Sequence, residues 1–339
     1  MNRAVVTADL HFSLYGQDSK MENGMGETLY YLDNVMRNSI LKYADDENIS
    51  NCIIVGDIFH NKSIIHAKAL AVFIDIVNDF SHINFILLDG NHDHSKMSGD
   101  DVTSLKSLEN TPNVNVIHDA VQKNNLYFVP WNNKLIENIK NPPNGVDYLF
   151  SHFGLNEGTL SSGISIISDI GLKDLKPYKY VILGHYHKPQ YIKNDFLELY
   201  YVGSPIQLDM GERDEEKRFL DINFETNEIK SIKTDGYKKY YKIELAKQDA
   251  QIIKEIEFLQ KQGHDVLVEI TNDIDTSSIP ENVRIVNKVD IDITNRGISL
   301  DMSESERLEA YLNIKEIPDN KKEDYLSIAK YIINFSKES

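Results

Sequence analysis

The sequence predicts an α/β (α+β) fold: two packed mixed sheets flanked by helices, then a small α+β domain and a C-terminal helical segment. Two observations lead there. Over residues 5–88, strand-length apolar runs rich in Val, Ile and Phe alternate with amphipathic stretches of helical period. From residue 113 to about 235, the segments shorten into strand-like pieces separated by turn residues.

The first strand holds Val5 and Val6, and a polar, glycine-containing loop follows over residues 12–26. Leu29, Leu32, Met36, Ile40 and Tyr43 then recur at three- and four-residue spacing, the stripe of an amphipathic helix. Ile53 to Val55 form the second strand. Ile65, Ala69, Val72, Phe73, Ile76 and Phe80 mark a second helix before the strand at Phe85 to Leu88. Strand, helix, strand, helix, strand implies right-handed crossovers and a mostly parallel sheet. The shorter pieces lie at 125–129, 147–150, 179–183, 197–202 and 218–224, and they are expected to build a second sheet packed on the first.

Near Lys238 the character changes. Residues 240–245, 265–270 and 283–293 read as strands, and Ile252, Ile256 and Leu259 line a helix that stops at Gly263. The tail from Ser303 divides at Pro318 into two helical patterns. The first opens with the capping-box arrangement Ser303-x-x-Glu306, and the second presents Tyr325, Ile328, Ala329, Ile332 and Ile333 on one face. The expected division is therefore 1–236, 237–301 and 302–339, in keeping with a 339-residue chain.

Hydrophobic residues make up 41% and aromatic residues 9%, ordinary values for a folded domain, and no run approaches membrane-span length. The N-terminal residues pass straight into a strand without a basic-then-apolar leader, so a cytoplasmic location is expected. Cys52 is the single cysteine, which excludes a disulfide framework and suits a buried structural thiol. The 36 Lys and Arg against 53 Asp and Glu give a net charge of −17, which argues against non-specific nucleic-acid binding through a global positive field. Bound cations would reverse that sign locally.

Five apolar runs end in a residue able to ligate a metal: Asp9, Asp57, Asn91, His152 and His185. In open sheets, side chains beyond strand ends converge on one crevice. Asp9, His11, Asp57, Asn91, His152, His185 and His187 should therefore meet. Asp9-x-His11 and Gly56-Asp57 are weak signals alone. Gly90-Asn91-His92-Asp93 is more specific, because it combines an amide oxygen, an imidazole and a carboxylate in one turn after a buried strand. Six of the eleven histidines (His11, His60, His92, His152, His185 and His187) fall in these strand-end motifs. His66, His82, His94, His118 and His264 lie outside them and suit structural or surface roles, His94 being nearest the site. Imidazole, carboxylate and amide ligands without thiolate suit manganese or iron, and manganese is preferred.

Through Asp9-x-His11, Gly56-Asp57, Gly90-Asn91-His92-Asp93, His152 and Gly184-His185-x-His187, residues 1–190 resemble the calcineurin-like metallophosphoesterases. Two further stretches resemble the SbcD-like DNA double-strand-break nucleases: Gly56-Asp57-Ile58-Phe59-His60, and Tyr201-Val202-Gly203-Ser204-Pro205-Ile206-Gln207-Leu208 followed by Gly211-Glu212. The resemblance implies a metallophosphoesterase fold with two divalent metal ions per chain, one held by Asp9, His11, Asp57 and His187 and the other by Asp57, Asn91, His152 and His185. Asp57 would bridge them. His92 would act at the scissile phosphate and His60 would support that step.

The resemblance also implies a capping domain that guides single- or double-stranded DNA ends, a C-terminal segment that docks on an SbcC-like coiled-coil ATPase, and a homodimer. The chain departs from the family after His60, where Asn61-Lys62-Ser63 replaces an arginine- and proline-containing stretch, and at Phe12-Ser13 in place of Leu-Gly. Two other functions are open to such a scaffold: a phosphomonoesterase or protein phosphatase, and a non-catalytic protein that binds DNA ends. The first usually places an arginine just after Gly-Asp, where this chain has Ile58-Phe59-His60-Asn61-Lys62.

Overall fold

The computed structural model describes residues 1–16, 25–62, 64–95, 102–159, 168–270, 274–281, 283–287, 312, 322 and 325. The chain divides into two compact units. The first is Met1–Ile243, Asp249–Val268 and Thr276–Arg284; the second is Glu244–Gln248, Glu269–Asp275 and Ile285–Ser339, most of which falls outside the described residues.

In chain order the structure runs β1 (Arg3–Thr7), α1 (Glu27–Val35), α2 (Lys42–Asp46), β2 (Asn51–Val55), α3 (Ala67–Asp79), β3 (Asn84–Leu88), β4 (Val114–Ile117), β5 (Val121–Lys123), β6 (Leu126–Val129), α4 (Leu135–Lys140), β7 (Tyr148–His152) and β8 (Tyr180–Gly184). It continues with β9 (Gln190–Lys193), β10 (Glu198–Tyr201), β11 (Arg218–Asn223), β12 (Glu228–Lys233), β13 (Tyr240–Leu245), α5 (Ala250–Lys261), β14 (Asp265–Ile270) and β15 (Arg284–Asn287). The first amphipathic stripe holds two helices, α1 and α2, joined by a π-helical turn at Met36–Leu41. Residues 288–293, the Ser303-x-x-Glu306 box and all of the two expected tail helices except Leu312, Lys322 and Tyr325, which are helical, lie outside the described residues. Of the apolar face expected in the tail, only Tyr325 is described, and it is exposed.

One six-stranded sheet has the order β12-β11-β1-β2-β3-β4 and the other β5-β6-β7-β8-β10-β9, while β13, β14 and β15 form a third, small sheet. In the first, β1 to β4 pair in parallel and β11 runs antiparallel to β1. In the second, β6, β7, β8 and β10 are parallel, with antiparallel β5 and β9 at the edges. The architecture is thus the expected α/β one of two mixed sheets flanked by helices.

Continuous apolar runs follow from burial on both faces of a parallel sheet. Val5, Cys52, Ile54, Phe85 and Leu87 join Leu29, Leu32, Phe73 and Ile76 in the core under the helices. Their neighbours Val6, Ile53, Val55, Ile86 and Leu88 join Phe128, Phe150 and Ile182 between the sheets. On the far side of the second sheet, Leu149, Val181 and Leu183 meet Leu135 and Ile139 of α4. Each such side chain contributes about 1.5–3 kcal/mol, and this packing on both faces positions the strand ends from which the site loops leave.

The structure corrects one expectation. The short segments beyond residue 113 do not all belong to the second sheet, because β4, β11 and β12 join the first. Strand β11 sends Phe219 into the helix-side core and Leu220 and Ile222 between the sheets. It covers the edge of β1, whose unpaired backbone groups would otherwise be buried without partners. Among the described residues, no helix is long and apolar enough to cross a membrane.

Where β1 and β11 pair, the Arg3 guanidinium meets the nearly fully buried Asp221 carboxylate at 2.8 and 2.6 Å, and Tyr43 Oη donates to Asp221 at 2.9 Å. Burial opposes the Asp221 charge, but these two partners outweigh it and hold the carboxyl below its ordinary range. Arg3→Met should therefore cost about 1–2 kcal/mol at neutral pH, a modest figure because Arg3 is partly solvated. A depressed carboxyl contributes stability above its unfolded pKa of about 4 and loses it as pH falls through the folded value. Urea unfolding of both proteins should show a penalty at pH 7 that shrinks as pH falls below the unfolded carboxyl value of about 4; a penalty independent of pH would mean that packing alone is lost.

Candidate metal centre

The strand ends of both sheets open on one place. Asp9 and His11 follow β1, Asp57 follows β2, and the Gly90-Asn91-His92-Asp93 turn follows β3. His152 closes β7, and His185 and His187 follow β8. The backbone is knitted across these loops: Asp9 N–H donates to Gly56 O at 3.1 Å, His11 N–H to Asp57 O at 3.0 Å, and Phe12 N–H to Ile58 O at 2.8 Å.

Several of these residues sit in left-handed backbone, with φ of 52° at Asp9, 50° at His11, 53° at Asp57 and 94° at His185. The other described non-glycine residues with positive φ are all asparagines, which tolerate it. Each strained position costs of order 1–3 kcal/mol and persists only when its surroundings over-determine it. Gly56 and Gly90 make the close approach feasible. A Cβ at Gly56 (φ +82°) would lie 2.2 Å from His152 Nδ1, and one at Gly90 would lie 2.2 Å from the Asp57 amide nitrogen.

All seven sequence-predicted ligands converge. His11 Nε2 lies 2.9 Å from His187 Nε2 and 3.7 Å from Asp57 Oδ2. On the other side, His152 Nε2 lies 3.2 Å from Asp57 Oδ2 and 3.1 Å from Asn91 Oδ1, which is itself 3.0 Å from His185 Nδ1. Three groups place their donor atoms within 4.8 Å of one another: Asp9 with His11 and His187, Asp9 with Asp57 and His152, and His11 with His60 and His92. Asp9 thus stands beside both halves of the cluster, as Asp57 does. The all-histidine group was not foreseen.

Asp9, His11, Asp57 and His152 are almost wholly buried, whereas Asn91, His92, His185, His187 and His60 are partly open. Burial sets the electrostatics. It raises the Asp9 carboxyl against the pull of His152 and His187. It opposes the Asp57 charge too, but His152 and His11 outweigh it and hold that carboxyl well below its ordinary range. Burial also pushes His11 well below its ordinary value and His185 down to about 3, keeping both neutral.

Hydrogen bonds fix the rings. His152 Nδ1 donates to Val55 O at 2.8 Å, His92 Nδ1 to His60 O at 2.6 Å, and His187 Nδ1 to a Glu212 carboxylate oxygen at 2.8 Å. Each leaves Nε2 turned to the cluster, the arrangement that outer-shell acceptors impose on ligating histidines. The carboxylates are held as firmly. His185 N–H donates to both Asp9 oxygens at 3.0 Å, and His92 N–H to Asp57 Oδ1 at 2.7 Å.

This donor set fits divalent cations. Donors about 2.1 Å from a cation and at right angles to one another stand about 3 Å apart, close to the 2.9–3.2 Å spacings of the His11/His187, His152/Asn91, Asn91/His185 and His152/Asp57 pairs. His11 and His185 are already in the neutral form that a cation requires, whereas Asp57 raises His152 to about 9 against its burial and Glu212 raises His187, so a cation would displace a proton from those two rings.

The chain's family follows from these motifs taken with a family match: residues 3–189 match the model of the calcineurin-like phosphoesterases. The chain belongs to that family. No curated protein matches it. Among solved structures, this calcineurin-like phosphoesterase is similar to an archaeal phosphodiesterase, with 13% identity over 68% of this chain and 99% of that one and a TM-score of 0.36. It is similar to a dimetal phosphatase from Danio rerio, with 11% identity, 68% and 96% coverage and a TM-score of 0.46. A third is the nuclease MPE of Pseudomonas putida, with 14% identity, 64% and 83% coverage and a TM-score of 0.32.

Sequence reasoning assigned no part to Asp93 or Glu212, although it quoted both within motifs. Asp93 is buried and accepts from Ile58 N–H and Phe59 N–H at 3.1 Å and from Gly90 N–H at 2.9 Å, clamping the β2 loop to the β3 turn. Its carboxyl is raised, by burial first and then by Asp57 and Asp89. Of the five histidines outside the motifs, His118 lies between Asp89 and Glu109 at 2.5 and 3.0 Å, His82 on Asp45 at 2.6 Å, and His94 against the Trp131 ring at 5.3 Å.

Gly56→Ala should lower stability by about 1–3 kcal/mol, because it adds a clash with His152 to an unfavourable φ. It should also abolish stoichiometric uptake of divalent metal, measured on the purified protein by mass spectrometry. Wild-type uptake in this variant would show that the β2 turn does not set the position of His152.

Proposed function

We propose that the chain is a two-metal phosphodiesterase acting on DNA, an exo- or endonuclease of the SbcD-like type working in recombination and double-strand-break repair. The observation that carries this reading is the pairing of His60 and His92. Their rings lie nearly parallel, 5.5 Å apart with 19° between planes, and His60 Nδ1 comes within 3.3 Å of His11 Nδ1. A phosphomonoester dianion calls for a guanidinium beside the metals, whereas a diester carries a single charge that imidazoles can serve. The residues after Gly56-Asp57 supply such an imidazole and no arginine.

Roles follow from chemistry. Asp9, His11, Asp57 and His187 would hold one cation, and Asp57, Asn91, His152 and His185 the other, with manganese the best match to these donors. Bound cations would supply Lewis acidity at the phosphate and a more acidic water. With Nδ1 committed to the His60 carbonyl, His92 can carry a second proton on Nε2, which it can give to the leaving oxygen. His60, stacked on that ring, keeps it turned to the phosphate.

The proposal extends to a cytoplasmic homodimer that binds DNA ends beside residues 237–301, used as a capping domain. Residues 302–339 would dock on an SbcC-like coiled-coil ATPase. The resemblance of the Gly203-Ser204-Pro205 and Gly211-Glu212 stretch supports this assembly, and no membrane is required.

Purified protein with manganese should degrade end-labelled single-stranded and linear duplex DNA while turning over little p-nitrophenyl phosphate. His92→Ala should keep its metal and lose about 10²–10⁴-fold in DNA cleavage. Monoester turnover without DNA cleavage would make the chain a phosphatase, and full activity in His92→Ala would remove that residue from the reaction. A chain ending at Asp301 should keep its nuclease activity and lose co-purification with the ATPase; retained co-purification would assign docking elsewhere.

A further inference from the structure

Among the described residues, Lys217 is the only lysine or arginine buried from solvent, and it is buried completely. Its ammonium lies 2.7 Å from Glu212 Oε2 and 2.6 Å from Glu215 Oε2, and it donates to Ser204 Oγ at 3.0 Å and to the His187 carbonyl at 2.9 Å. Four acceptors thus surround three ammonium protons. The other Glu212 oxygen receives His187 Nδ1–H at 2.8 Å, and Glu212 Oε2 also accepts Leu208 N–H at 3.1 Å. Ser204 N–H donates to the same His187 carbonyl at 3.1 Å. The approach is close: Gly203 has φ +79°, and a Cβ there would lie 2.6 Å from His187 O.

One lysine therefore touches His187 at both ends, its carbonyl directly and its ring through Glu212. A buried ion pair is weak support for stability, because apolar residues of similar volume often serve as well. Its value lies in fixing one arrangement. Here the arrangement has a chemical consequence: with Glu212 holding the Nδ1 proton, His187 Nε2 carries its lone pair toward Asp9 and His11, the other members of its donor group.

We propose that Glu212 and Lys217 are positioning residues that hold His187 as an Nδ1–H tautomer for a divalent cation shared with Asp9 and His11. The proposal rests on reading His187 as a metal ligand. In the metal-free chain it also orders the neighbouring protons. His187 Nε2 accepts from His11 Nε2–H at 2.9 Å, and His11 Nδ1 then accepts from His60 Nδ1–H at 3.3 Å.

Calorimetric titration of the metal-free full chain with manganese tests this, with bound metal counted by mass spectrometry. Wild type should take up two equivalents. Glu212→Gln should keep one at wild-type affinity and weaken the other about 10–100-fold, the usual effect of removing an outer-shell carboxylate. His187→Ala should lose that same equivalent. Unchanged affinity for both equivalents in a folded Glu212→Gln protein would overturn the positioning role.

A second measurement does not depend on any variant folding. Long-range ¹H–¹⁵N correlation on metal-free wild type at about pH 8 should show His187 as the Nδ1–H tautomer, and an Nε2–H tautomer would overturn the proposal. If the wild type takes up no metal, the metal reading beneath the proposal fails as well, and the two failures are thereby told apart.

Discussion

Two carboxylates, Asp9 and Asp57, are held side by side where water does not reach, and the architecture around the strand ends answers that one constraint. A charge removed from water must be met by donors or by opposite charge. The His185 amide meets both oxygens of Asp9, while the His92 amide and the ring of His152 meet Asp57. Each donor comes from the end of a different strand, so the two sheets must stack with their strand ends in register before the charges can be accommodated.

Close approach and strain come from the same requirement. For the His152 ring to lie over Gly56, and for Gly90 to lie over Asp57, those two positions must lack side chains. For Asp9, His11, Asp57 and His185 to turn toward one point, they adopt left-handed backbone. Packing of Val6, Ile53, Val55, Ile86 and Leu88 against Phe128, Phe150 and Ile182 provides the stability against which this strain is held. A cation bound among these donors would relieve the repulsion between the carboxylates, so the strained and charged cluster is a site built to be filled.

The outer contacts divide the work. Asp93 ties the β2 loop to the β3 turn, Val55 and His60 carbonyls orient His152 and His92, and Glu212 orients His187. The residues facing the cluster supply donors, and those behind them decide which nitrogen each imidazole presents. His60 and His92, both partly open, stack at 5.5 Å beside the buried donors.

The sequence by itself determined the strands that carry the site and the seven donors at their ends. Burial on both faces writes a strand as an unbroken apolar run, and a polar residue just past such a run has one place to go. Asp9, Asp57, Asn91, His152 and His185 were legible for that reason. Only the tertiary structure decided that β11 and β12 return beside β1, that Asp9 stands against both halves of the cluster as Asp57 does, and that Glu212 and Lys217 stand behind His187. Those arrangements join residues 25 to about 200 positions apart through charge pairing and edge covering, and neither leaves a period in the chain. A buried lysine looks like any other lysine until its partners are folded around it.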